Sequence, residues 1–317
     1  MISLSLFENK ETFTCHSVKE RREGCKRLRS KEKNTPFNII LETEEKISFS
    51  FPFDYFHIIL KGRIHDDHYA NEKDNEGKEL TTWKTAVIKV TGNHNIFENF
   101  IIENTSGTPQ VKGQEVALGV YGDDNFFLNC TLISTQDTLF VGPLPDDLST
   151  RYLGFLPEEE RYHEGNCTTY FSRCIIKGTV DFIFGAGRAL FYKCDLITLN
   201  DIRGETYVTA PSHSLKDDFG FYFESCRFLN GGAEKDSTYL GRPWRDYGKA
   251  VFSNCTYEDH INPLLFHDWS NVDRKKTCRF EEYPLLEGRA SFTRNGKGSA
   301  LPKQYRALLS KFLKINV

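Results

Sequence analysis

Apolar residues in the middle of this chain recur in one compact pattern. Phe97, Phe127, Phe171, Phe191, Phe223 and Phe252 are each followed three residues later by Phe100, Cys130, Cys174, Cys194, Cys226 and Cys255. Two positions further on come Ile102, Leu132, Ile176, Leu196, Phe228 and Tyr257. An offset of three and then two fits a bend entering a short strand, not a helical stripe. The copies lie 30, 44, 20, 32 and 29 residues apart. That spacing, with several short β segments per copy and little helical signal, predicts an all-β solenoid: coils of a parallel β-helix, each burying its apolar face on the next.

The 44-residue interval holds an excess segment, 142–165, with three prolines and the run Glu158, Glu159, Glu160, which reads as a loop leaving the coil. Residues 1–35 depart from the repeat and are expected to be irregular. Their charged run VKERREGCKRLRSKEK has a solvated helix or frayed face as its ordinary meaning. Residues 302–317 include KQYRALLSKFL, whose helical spacing predicts a cap on the solenoid end. The whole chain, 1–317, reads as a single domain.

Composition adds limits. With 317 residues, 39% hydrophobic and 27% charged, the chain can bury a substantial core. A formal net charge of −3 gives no steep attraction to nucleic acid or acidic lipid, so neither is expected as a partner, and an acidic polysaccharide would need a local basic patch. No stretch approaches the roughly 18 apolar residues of a membrane span. The N-terminus, MISLSLFENKETF, lacks a basic leader region, which points to a cytoplasmic protein; a secreted protein whose signal has been removed is the alternative. The chain is expected to be a monomer. Nine cysteines without a C-x-x-C pair argue against a zinc ribbon and a complete disulfide framework. Five of them occupy the repeat, as small buried residues in a ladder.

Ten residues after Phe127 stands Asp137, and ten after Phe171 stands Asp181. If the coils stack in phase, these carboxyls come from neighbouring strands about 4.8 Å apart. Two carboxylates that close do not both ionise easily, so one should keep a proton beside the other's charge. Either aspartate alone would more simply be a turn residue. Their shared phase, and the apolar DTLF and DFIF runs they begin, favour chemistry.

At these residues the chain resembles a family. The strings GQEVAL (Gly113 to Leu118), STQDTL (Ser134 to Leu139), GTVDFIFG (Gly178 to Gly185) and LGRPW (Leu240 to Trp244) are similar, in order and spread, to the signature segments of pectin methylesterases. The likeness runs from about Thr81 to Trp269. It implies a single-stranded right-handed parallel β-helix that hydrolyses methyl esters in pectin or methylated oligogalacturonides and needs no cofactor or metal. By position, it implies Asp181 as nucleophile, Asp137 as acid and then base, Gln114 and Gln136 as donors to the oxyanion, and Arg242 as the group orienting Asp181. It also implies substrate contacts from Trp244, Phe184, Val180 and Thr82. Phe184 could equally be core.

The likeness thins before Thr81, where LETEEKISF lacks the family's glycine and tyrosine, so an irregular first coil is expected. In INPLLFHDWS, Leu265 and Phe266 stand where a Gly-Trp is more usual, which leaves substrate contacts on that side open. The excess segment resembles the longer loops of bacterial members. A polygalacturonase would use paired carboxylates too but has no need of the two glutamines. A pectate lyase would need clustered acids for calcium, and Asp146, Asp147, Asp217 and Asp218 read as loop charge. A non-catalytic pectin-binding solenoid would have no use for the full set. No G-x-S-x-G occurs, and His65, Asp66, Asp67 and His68 lie outside the motifs.

Overall fold

The structure, a computed structural model, describes residues 1–32, 34–107, 109–143, 167–271, 273–284 and 301–314. The segment expected to loop out at 142–165 therefore lies almost wholly outside the described residues, as do Asp146 and Asp147.

The repeat is a bend repeated coil after coil. The residue before each Phe100 or Cys position has left-handed backbone: Asn99, Asn129, Arg173, Lys193, Ser225 and Asn254, with φ between 51° and 61°. Each turns the chain from a strand of the first wall, such as Thr168–Ser172, into a strand of the second, such as Ile175–Gly178. A left-handed residue other than glycine costs about 1–2 kcal/mol, a cost offset by the two apolar walls that the bend brings together. A third wall closes the coil through Phe49–Phe51, Ile88–Val90, Leu118–Val120, Leu139–Val141, Ile183–Gly185, Thr206–Pro211 and Thr238–Gly241. Every ladder between these coils is parallel, for example Phe171↔Phe191, Leu132↔Ile176 and Leu139↔Ile183. The fold is the right-handed parallel β-helix, the hand in which consecutive parallel strands are joined.

The core runs along the axis. Phe97, Phe127, Phe171, Phe191, Phe223 and Phe252 stack face on face, with centroid separations of 5.0, 5.0, 4.9, 4.5 and 4.8 Å. At the bend the backbone ladder is interrupted, and there the thiols find work. Cys130, Cys174, Cys194, Cys226 and Cys255 direct Sγ to the carbonyls of Phe97, Phe127, Phe171, Phe191 and Phe223 in the preceding coil, at 3.3–3.7 Å. A thiol is small and apolar enough for the core and still donates weakly to a backbone carbonyl of the neighbouring coil. All nine cysteines are free.

Three expectations about the ends change. The first coil is regular: Phe37–Lys46 and Phe56–Asp66 run unbroken past the first corner and pair over ten residues. Where later coils turn on a left-handed residue, strand Phe56–Asp66 carries Gly62, at φ +141° and so close to the Thr43 carbonyl that no Cβ would fit. Residues 1–35 are not irregular throughout: of the two readings of the charged run it is the helix that forms, α1, Val18–Lys31, with Ser17 accepting from the Glu20 amide at its N-terminus. Val18, Arg21 and Cys25 are buried along one face of α1, and the Arg21 guanidinium lies over Phe49 and Phe51, so this helix covers the open end of the stack. The C-terminal helix α2, Lys303–Leu313, does not cap an end. Its Tyr305 and Phe312 lie on the outside of the first wall against Phe126, Tyr170, Tyr192 and Tyr222.

Candidate active site

The second corner, entering the third wall, brings the two candidate carboxyls together. Asp137 and Asp181 both have left-handed backbone, φ 66° and 51°, directly before the paired strands Leu139–Val141 and Ile183–Gly185. The Asp137 amide donates to the Val180 carbonyl at 3.1 Å, which locks the two corners in register. The aspartates are 8% and 6% exposed, on a cleft of about 330 Å³. Thr82, Gln114, Gln136, Phe184, Arg242 and Trp244 line the same cleft. Two larger hollows, about 410 Å³ each, lie near the N-terminal segment and hold no comparable set of groups.

Arg242 follows the third-wall strand Thr238–Gly241, two coils beyond Asp181. Its Nε and Nη2 donate to Asp181 Oδ1 and Oδ2 at 2.8 and 2.7 Å. The guanidinium lies between the rings of Tyr207 and Trp269, 3.8 Å from each centroid. Flat faces above and below leave the fork one orientation, along the carboxylate plane.

Burial pushes the Asp137 carboxyl well above the usual carboxylate range, and the negative charge of Asp181 raises it further. Burial raises Asp181 as well, but the charge and hydrogen bonds of Arg242 oppose the rise. The proton of the pair therefore rests on Asp137 and the charge on Asp181.

Gln136 sits beside Asp137 and lines the same cleft. Gln114 comes from the preceding coil on the same side. Below them, Trp83, Phe140 and Phe184 form an aromatic floor, with Trp83 against Phe140 at 5.2 Å and Trp244 over Trp83 at 6.4 Å. Phe184 is 3% exposed, so it is floor first and cleft lining second. Val180 is buried against Tyr207 and Tyr239, on the side of Arg242 away from the residues that line the cleft with Asp137. Thr82 opens a short turn, Thr82–Lys84, that brings Trp83 to the floor.

Other groups at the site escaped the sequence reading. Trp83, Tyr207 and Arg245 carry no signal in the repeat, and Arg203 sits in the turn DIRGE between walls. An acidic-x-basic pair in the coil after Asp181 was the available hint for Arg203. Leu265 and Phe266 are buried core, Phe266 stacking on Phe280 at 5.0 Å, and Trp269 faces the site instead. Asp67 pairs with Lys46 and His68 with Glu72, while Asp217 accepts from the Ser214 amide and Asp218 pairs with Arg188. Among the described residues no group of three His, Cys, Asp or Glu side chains is placed to hold a metal ion.

Comparison with known proteins agrees on one family. The pectinesterase family profile matches residues 30–144 and 162–297. Pectinesterase QRT1 of Arabidopsis thaliana is 31% identical over 219 residues, covering 68% of this chain and 50% of that protein. Probable pectinesterase/pectinesterase inhibitor 21 of the same plant is 28% identical over 234 residues, covering 71% and 31%. The chain thus spans half or less of the length of these relatives. Among solved structures, pectin methylesterase PemA from Erwinia chrysanthemi superposes with a TM-score of 0.69 at 22% identity, covering 93% of this chain and 99% of that one. A pectin methylesterase in complex with a hexasaccharide superposes at 0.70 with 21% identity and the same coverage.

Proposed function

The chain belongs to the pectinesterase family, and on that premise we propose that it hydrolyses the methyl esters of galacturonate residues in pectin, releasing methanol through an acyl-enzyme on Asp181. The observation that carries this reading is the in-register pair Asp137 and Asp181 with the Arg242 fork closed on one member.

Asp181, held ionised by Arg242, attacks the ester carbonyl carbon. The carbonyl π electrons move to oxygen, and the side-chain amides of Gln114 and Gln136 donate to the resulting oxyanion; each such donor is worth on the order of 3 kcal/mol of barrier. Collapse breaks the bond to the methoxy oxygen, which takes the Asp137 proton and leaves as methanol. The product is a mixed anhydride with Asp181. Asp137, now a carboxylate, takes a proton from water as that water attacks the acyl carbon, and the free carboxylate of the sugar and Asp181 are released. Trp244 over the aromatic floor offers a face for a sugar ring, and Thr82 a hydroxyl at the rim.

The substrate argues against the cytoplasmic expectation, which the relatives do not support. Pectin lies outside the cell, so we assign the chain to the secreted side; no described helix is long and apolar enough to cross a membrane. A polymer-cleaving reaction or simple pectin binding would leave methanol unreleased. The test is methanol release from highly methylated pectin by wild type and by Asp181→Ala. Release by wild type and a fall of at least about 10³-fold in the variant support the reading. Chain shortening or unsaturated ends without methanol would refute it, and full activity in Asp181→Ala would refute the mechanism.

A further inference from the structure

The amide of Gln136 can face the cleft in two ways, carbonyl oxygen first or nitrogen first, and only the second donates to an oxyanion. In the structure Gln136 Oε1 accepts from Arg203 Nη1 at 2.9 Å. Arg203 is itself clamped. Its Nε and Nη2 donate to Asp201 Oδ1 and Oδ2 at 2.8 and 2.7 Å, and its backbone amide donates to Oδ1 at 2.9 Å. The Asp201 side chain is fully buried. A guanidinium has donors and no acceptor, so the group beside it must be the amide oxygen, and the nitrogen must face away from Arg203, on a side chain that shares the cleft with Asp137 and Asp181.

We propose that Arg203 is a positioning residue: anchored on Asp201, it holds the Gln136 amide nitrogen towards the reacting ester through a contact on its carbonyl oxygen. This role rests on the esterase reading above. It explains why a turn outside the repeat builds an Asp-x-Arg pair one coil beyond Asp181 and spends two of the guanidinium's nitrogens on a buried carboxylate. A surface arginine meant only to meet substrate would leave its fork open to solvent. The same positive charge lowers the proton affinity of both Asp137 and Asp181, so the residue has a second effect that can be separated from the first.

Four variants separate the two effects: Arg203→Ala, Arg203→Lys, Gln136→Ala and the double variant with alanine at 136 and 203, each assayed for methanol release at its own pH optimum. With the amide free to turn, Arg203→Ala is expected to lose about ten- to a hundredfold in kcat, less than the about 10²–10³ of removing a donor outright, with KM nearly unchanged. In the Gln136→Ala background the second substitution is expected to change kcat by less than about twofold, because it acts through a group already gone. Arg203→Ala should also move both limbs of the pH profile upward. Arg203→Lys should restore the profile but not kcat, since an ammonium keeps the charge without the fork; it carries the test alone if Arg203→Ala does not fold.

Losses that multiply in the double variant, a rise in KM with kcat intact, or full recovery of kcat by lysine would each overturn the proposal. So would a crystal structure of Arg203→Ala with the Gln136 amide unmoved, whatever the substrate. A wild type that releases no methanol sinks the esterase reading and this role with it; a wild type that does, beside an Arg203→Ala of unchanged kcat, sinks only the role of Arg203.

Discussion

Two aspartates of the same backbone conformation and register behave differently because of what surrounds them. Asp137 is buried facing a negative charge, and Asp181 is buried facing Arg242. The acid limb of the pH profile should therefore follow protonation of Asp181, and the alkaline limb should follow loss of the Asp137 proton. The same displacement predicts a stability effect. A carboxyl whose folded-state proton affinity is raised makes the folded protein bind more protons than the unfolded chain, so stability falls as pH rises from the unfolded value, about 4, to the folded one. Asp137→Asn removes that loss. Its melting temperature should match the wild type near pH 3 and exceed it progressively as pH rises above about 4, while methanol release is abolished. A variant destabilised at neutral pH would contradict the assignment of the proton to Asp137.

At the scale of the element, the repeating unit is the corner: a left-handed residue, a phenylalanine before it and a thiol after it. Because the rings of Phe127, Phe171 and Phe191 stack in one column, removing the middle one leaves a cavity that neighbours on both sides border. Phe171→Ala should cost about 3–5 kcal/mol, read as a lower urea midpoint at unchanged slope. The thiols give a second check. All the cysteines except the half-buried Cys255 are enclosed, and burial pushes Cys167 and Cys278, for example, up to about 12. The native protein should react with a thiol reagent only slowly and mainly at Cys255, and should release nine equivalents once denatured. Fast reaction of several thiols in the folded state would show that the ladder is not closed.

For the whole molecule, a solenoid is held by contacts between adjacent coils and so depends on what covers its ends. Helix α1 covers Phe49 and Phe51, while α2 braces the outside of one wall. Deletion of residues 1–35 should expose an apolar coil face and the edge of strand Phe37–Lys46, giving aggregation by size-exclusion chromatography and a lower melting temperature. Loss of α2 should leave the stack soluble but less stable.

Much of this was legible in the chain because coils stack in constant register: whatever recurs in sequence is adjacent in space. The Phe and Cys columns, the bend and the shared phase of Asp137 and Asp181 follow from that alone, and the resemblance of four short strings adds Gln114, Gln136 and Arg242. What tertiary structure alone decided lies in the turns between walls, whose lengths vary and whose residues carry no period. Strand pairing, not spacing, brings Arg203 to Gln136 and sets Tyr207 and Trp269 on either side of Arg242. It also packs Val180 against Tyr207 and Tyr239 and lays α2 along a wall. Burial, a property of the assembled coils, determines which aspartate keeps the proton.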